Sequence, residues 1–235
     1  MDDLKSKAIV FDIWGDYAHF RKIETTTSPL TYFIPTRTAL SGIISAIIGL
    51  DRDSYYNIFL PQKTRLAIRI MNPLRKTRIN ISVTDTSRGF YLRDIGENPR
   101  SLVPYEFVKD PKYRIYFQTT NGDIRTRLSE FLKKHCSYYT PSLGTANLLA
   151  NFAYIGEYDV FETSEETVHS VARKDGGRLI VEENKRYCLE RIPIYMDTRR
   201  IAQEFADVIC EADGKPVKMS DNVSYKIGSD SVVFL

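Results

Sequence analysis

Lys134-His135, followed by Tyr138 and Tyr139, brings together the residue types that metal-independent RNA cleavage uses. A histidine can move a proton, a lysine can stabilise the charge of a phosphorane, and a tyrosine can position a hydroxyl. The same stretch also reads as cations closing a helix, because Lys133, Lys134 and His135 fall where a helix dipole favours positive charge. Adjacent residues at a helix end point in different directions, which weighs against a catalytic cluster of His135, Lys134 and Tyr138. No glycine-rich phosphate loop, GxSxG elbow or HExxH pair occurs. His19, His135 and His169 are widely separated, without metal-ligand spacing. Cys136, Cys188 and Cys210 are too few and too scattered for a disulfide framework or a zinc site, and read as buried thiols of a reducing compartment. The acidic pairs Glu165-Glu166 and Glu182-Glu183 stand in turn-like context and read as solvated faces. No cofactor, metal or small-molecule substrate is expected.

Charge points instead to binding. The chain of 235 residues is 43% apolar and 27% charged, with a net charge of +3, an ordinary globular composition. Residues 61–127 hold fourteen Lys and Arg against six Asp and Glu, while the rest holds 19 against 24. A basic middle in a near-neutral chain suggests one face for a polyanion. Strand faces rich in solvated arginine are the alternative.

The elements that would carry these groups follow from periodicity. Residues 7–14 are apolar on both faces and read as a central, buried strand, ended by Gly15-Asp16. A helix opens at Pro35-Thr36-Arg37-Thr38, repeats Leu40, Ile43, Ile44, Ile47 and Ile48 at helical spacing, and closes at Gly49. Residues 65–71 and 113–119 alternate as strands. The segment between them, 72–112, is too long for a plain connection. It reads as a protruding β-hairpin, with 78–84 as one arm, a turn at Ser87-Arg88-Gly89, a return through Phe90-Tyr91-Leu92, and Pro99 and Pro104 in a ragged tip. Residues 123–134 make an amphipathic helix and 147–160 a fourth strand. The fold class expected is α+β. The order strand, helix, strand, insertion, strand, helix, strand is the ferredoxin-like (RRM-related) plan over residues 1–160. Residues 161–235 follow as a mostly β C-terminal part with one short helix near 197–209.

Two blocks carry a resemblance. Phe11-Asp12-Ile13-Trp14-Gly15-Asp16-Tyr17-Ala18-His19-Phe20-Arg21, then Tyr32-Phe33-Ile34-Pro35-Thr36-Arg37-Thr38-Ala39-Leu40-Ser41-Gly42, is similar to the N-terminal signature of the Cas-five family of CRISPR-associated RAMP proteins. Supporting blocks run from Tyr105 to Tyr116, over Tyr139-Thr140-Pro141-Ser142-Leu143-Gly144, and from Glu190 to Met196; the Pro-Lys-Tyr-Arg block and the short C-terminal part look most like type I-B. The resemblance implies a ferredoxin-like domain with an inserted thumb hairpin. It further implies a subunit that caps Cascade, grips the 5′ handle of the crRNA and contacts the backbone and large subunits. Target DNA would be met only indirectly, in an antiviral defence complex. In most type I systems a separate ribonuclease cuts the precursor. In the subtype where the family member cuts, lysine and histidine precede the second helix, whereas Lys134-His135 ends it here, so the cutting role is not carried over.

On this reading Tyr17, His19 and Phe20 stack on splayed bases, while Arg21 and Arg37 pair with phosphate. Phe20 could equally be a core aromatic, and Tyr32 reads as packed under the helix. The insertion offers Arg75, Lys76, Arg78, Arg88, Arg93 and Arg100 among Tyr91 and Tyr105, to contact RNA or acidic groups of a partner. Gly144 would let backbone approach the strand closely. With a charged N-terminus and no apolar run near the roughly 20 residues of a membrane helix, a soluble cytoplasmic protein is expected, without membrane contact.

Overall fold

The computed structural model describes residues 7–25, 28–84 and 100–235. Its organising element is β1, Ala8–Trp14, buried along nearly its whole length because both of its faces are apolar. After the turn at Gly15-Asp16 come three short strands, β2 (Tyr17–Ala18), β3 (Phe20–Arg21) and β4 (Thr31–Tyr32). Helix α1, Arg37–Ile48, starts at the Thr36 cap, whose hydroxyl accepts from the Ala39 amide, and ends at Gly49 in the left-handed region (φ 72°). Strand β5, Thr64–Ile70, leads into a long hairpin of β6 (Arg75–Thr84) and β7 (Arg100–Lys109), then β8 (Lys112–Thr119). Helix α2, Gly122–Lys133, is capped by Asn121, and β9 spans Asn151–Tyr158.

Strands β5, β8, β1 and β9 form one antiparallel sheet in that order. Period-two alternation divides its side chains. Ile9, Phe11, Ile13, Leu66, Ile68, Ile115 and Phe117 meet Leu40, Ile44, Ile47, Leu128 and Leu132 of the two helices in the main core. The opposite face is also closed. Ala8, Val10, Ala67 and Tyr116 lie under Ile227 and Val232 from the end of the chain, and the Leu235 amide donates to Leu66 O at 2.8 Å. Asp12 accepts from Arg114 at 2.8 Å on that face, and Arg69 reaches Asp230 at 2.7 Å.

The remainder is β-ribbon: β10 (Val160–Thr163), β11 (Thr167–Val168), β12 (Ala172–Arg173), β13 (Arg178–Ile180), β14 (Tyr187–Met196), β15 (Ala202–Glu211), β16 (Val217–Ser220), β17 (Ser224–Ile227) and β18 (Asp230–Val232). The short helix expected near 197–209 is not formed; those residues turn at Asp197 and enter β15, which pairs with β14 from Tyr187↔Glu211 to Met196↔Ala202. Ala206, Val208 and Cys210 meet the main core from one face of the strand, and the partner strand supplies its hydrogen bonds. Pro104, expected at the hairpin tip, stands within β7 opposite Asn80. Ser87-Arg88-Gly89, Phe90-Tyr91-Leu92 and Pro99 lie outside the described residues; the arm that pairs with β6 is β7. Among the described residues no helix is long and apolar enough to cross a membrane.

Candidate nucleic-acid interface

The segment after β1 is tied down residue by residue. The His19 amide donates to Leu143 O at 2.9 Å, and Gly144, at φ +109°, lies so close that a Cβ there would stand 1.9 Å from His19 O. Only glycine fits, so Gly144 serves this chain's own backbone packing. The His19 ring is buried against Tyr105 and Phe107 at 5.3 and 5.6 Å. Its Nδ1 lies 2.7 Å from Glu106 O, which makes Nδ1–H the donor. Burial lowers its pKa from 6.5, more than that backbone bond raises it, and holds the ring neutral at pH 7. Tyr17 packs edge-on to Phe107 at 6.0 Å.

Beside this segment lies a cavity of about 370 Å³. Phe20 and Tyr32, paired across β3 and β4, line it together with His19, Tyr105, Tyr55, Tyr56, Gly144, Thr38 and Ala39 from the first turn of α1, and Arg21. Arg21 is exposed and donates to Thr25 O at 3.0 Å. Four expected residues, His19, Phe20, Arg21 and Gly144, therefore share one concavity. Burial raises the Tyr32 phenol to about 12. Tyr32 packs as expected, and Phe20, 4% exposed, is a core aromatic.

Arg37, expected to pair with phosphate, and Lys76, expected to reach RNA or a partner's acidic groups, are engaged within the chain instead. Arg37 is 1% exposed. It donates to Phe59 O at 2.7 Å and to both the carbonyl and hydroxyl of Thr64 at 2.8 Å. Burial lowers its pKa to about 10. A buried guanidinium whose two terminal nitrogens bond Phe59 O and Thr64 inside the fold does not reach a strand outside. Lys76 sits 3.0 Å from Glu106 and 3.9 Å from Glu190, donates to Thr31 O at 2.6 Å, and lies 3.9 Å above the Phe33 ring. Glu190, 7% exposed, also pairs with Lys22 at 3.0 Å and accepts from the Phe33 amide at 2.8 Å. This cluster clamps the root of the β6–β7 hairpin to β4 and β14.

Beyond the clamp the hairpin's cations are open. Arg75, Arg78, Arg100 and Lys109 are exposed and make no ion pair among the described residues. Arg88 and Arg93 lie outside the described residues. Arg75 and Lys109 face each other across the strands, as do Ile79 and Tyr105, so cation and aromatic share one face leading to the cavity.

Lys134, His135 and Tyr138 are exposed and pack on different elements. Lys134 caps α2, His135 takes a left-handed φ of 51° with its ring 5.1 Å from Phe152, and Tyr138 lies over Gly49 at the end of α1. Among the described residues no group of three or more His, Cys, Asp or Glu side chains could hold a metal ion. Sequence reasoning missed Tyr55 and Tyr56, whose doublet in a turn-rich segment was the available signal, and missed the carboxylates Glu106 and Glu190, which carried none.

The family described as CRISPR-associated protein (Cas_Cas5) matches this sequence over residues 8–209. The chain belongs to the Cas5 family. A relative from Thermus thermophilus, named CRISPR pre-crRNA endoribonuclease Cas5d, is 25% identical over 150 residues, 60% of this chain; the chain spans 61% of that protein's length. The fold is shared with a CRISPR protein from Archaeoglobus fulgidus, at TM-score 0.60 and 14% identity over 97% of this chain and 98% of that one. It is shared also with a chain of a CRISPR RNA-guided surveillance complex, at TM-score 0.53 and 11% identity over 89% and 91%. The Cas5 match runs across β1, both helices, the basic hairpin and most of the β14–β15 ribbon.

Proposed function

We propose that this Cas5 protein is a non-catalytic RNA-binding subunit of a type I CRISPR effector complex, most like type I-B, that holds the 5′ handle of the crRNA and caps the backbone. Residues 1–160 form its ferredoxin-like RAMP domain, with β6–β7 as the thumb, and 161–235 a β-rich subdomain packed on it. The sheet order β5-β8-β1-β9 supports that plan. The observation that carries the RNA reading is that the open cations Arg75 and Lys109 share the Tyr105 face at the root of the hairpin, where Tyr105 lines the aromatic cavity, with Arg78 and Arg100 exposed on the hairpin's other face. Phosphates track the hairpin, and a splayed base stacks on Tyr105 or the Tyr55-Tyr56 pair, where stacking contributes about 1–3 kcal/mol per base. Backbone and large subunits are the protein partners, and target DNA is met only through the assembled complex.

The test is fluorescence anisotropy of the chain, alone and with its backbone subunit, on crRNA with and without the handle. Arg21→Ala and Arg78→Ala should each weaken handle-dependent binding about tenfold, or about 1.4 kcal/mol, with the thermal midpoint unchanged. Equal affinity for handle-less RNA would remove the capping role. A second reading, a metal-independent pre-crRNA endoribonuclease, is favoured by the name of the Thermus relative. Repeat RNA left intact in EDTA by stoichiometric protein excludes it; cleavage lost in His135→Ala would establish it.

A further inference from the structure

Cys188 and Cys210, far apart in sequence, face each other directly across β14 and β15. Opposed residues of antiparallel strands hold their Cα atoms about 4.5–5.5 Å apart, inside the window of about 4.4–6.8 Å that a disulfide spans. Both are free thiols. Their surroundings differ. Cys210 is 3% exposed within the main core. Cys188 is half-buried at the border of that core, and its side chain shares the face of β14 that meets Cys210, opposite to Leu189 and Ile209. The adjacent Cys210 thiol lowers the Cys188 pKa, with Lys76 and Arg186 and against burial and Glu190. The adjacent Cys188, burial and the neighbouring Glu190 and Glu211 push Cys210 up. An accessible thiol favoured as thiolate beside a buried one is the arrangement of an attacking and a resolving cysteine.

We propose that Cys188 and Cys210 are a redox-active dithiol that closes to a cross-strand disulfide on reaction with a low-molecular-weight disulfide at the half-buried Cys188. The Cys188 thiolate attacks one sulfur of the small disulfide; that S–S bond breaks, the first small thiolate leaves and takes up a proton, and Cys188 carries a mixed disulfide. Cys210 then gives its proton to solvent and attacks the Cys188 sulfur, and the second small thiolate departs and is protonated. Two protein thiols lose two electrons, and one small disulfide becomes two small thiols. Cys188 stands two residues before Glu190 on the same face of β14, so the new bond fixes the ribbon next to the clamp that seats the basic hairpin. The proposal does not depend on the RNA-binding reading.

The folded full-length chain is incubated with glutathione disulfide, quenched with N-ethylmaleimide in denaturant, and mapped by peptide mass. A linked Cys188–Cys210 pair, two hydrogen masses lighter than the reduced peptides together, is expected. Cys136, exposed beyond α2, should take glutathione without a cross-link and reports that the reagent was active. Cys210→Ser should trap glutathione on Cys188. Oxidised wild type should melt higher and return to its starting midpoint with dithiothreitol. If folded wild type keeps glutathione on Cys188 while Cys210 takes maleimide, or if both take maleimide, the proposal is wrong. A link that forms only after unfolding in urea overturns it equally.

Discussion

Burial separates the arginines of this chain into those bonded inside the fold and those left at the surface. Arg21 and Arg37 both stand in the segment expected to grip phosphate. Arg37 is the third residue of a Pro-Thr-Arg start to α1, which turns its side chain under the helix to close off Phe59 O and Thr64 O. Replacing it with Met keeps the volume and orphans those acceptors, each at about 1–3 kcal/mol. Arg37→Met should therefore lower stability by about 2–5 kcal/mol in urea titration, with RNA affinity per folded molecule unchanged. Arg21→Ala should leave stability within about 0.5 kcal/mol, as an exposed substitution. The signal that separates the two is the apolar company of Arg37, with Ile34 before it and Leu40 after it on the inner face of the helix. Only packing shows that its guanidinium finds carbonyls there.

At the scale of elements, carboxylates pin the second helix to the sheet and the hairpin to β4 and β14. Glu157 on β9 accepts from Ser129 at 2.6 Å, Arg125 at 2.6 Å and Lys133 at 3.1 Å, joining α2 to the sheet edge. The Ser129 hydroxyl, then Lys133 and Arg125, draw its pKa from 4.5 to about 2 against the opposing effect of burial. The folded-state value lies below the unfolded one. Its stabilisation is thus fully present above about pH 4.5 and is lost as pH falls through that value towards 2. Urea midpoints measured across pH 2–6 should fall in that window, and Glu157→Gln should flatten the part of the fall that this carboxyl contributes. Glu106 and Glu190 perform the corresponding service for the hairpin by neutralising Lys76 and Lys22. The rigid root leaves the outer cations free to meet a ligand.

Over the whole molecule, both faces of the four-stranded sheet are occupied, one by helices and the other by the chain's end. Arg65, on the second face, lies over Tyr225 and Phe234. On the proposed function, the sheet surface is thus closed to RNA, and the hairpin and the cavity at its root are the route it would take. The charge distribution makes that route measurable. Single-strand binding loses about 0.7 in the slope of log affinity against log salt for each phosphate contact removed. Arg78→Ala should reduce the slope by about that amount, and a reduction near zero would mean that Arg78 touches no phosphate.

By itself the sequence determined the central strand, both helices, the start and stop signals of the first, the neighbouring strands, the existence of an insertion with strand content and the family. These follow from local periodicity, cap chemistry and motif order, which act over a few residues. It did not determine that residues 202–211 are a strand, because their apolar spacing suits either period until β14 supplies hydrogen bonds along one edge. Nor did it determine which of Arg37, Lys76 and Arg78 stays free, that Tyr55 and Tyr56 join His19 at one cavity, or that Cys188 meets Cys210. Those outcomes depend on partners tens to more than a hundred residues away. Burial and pairing arise only when the tertiary fold has brought the two ends together.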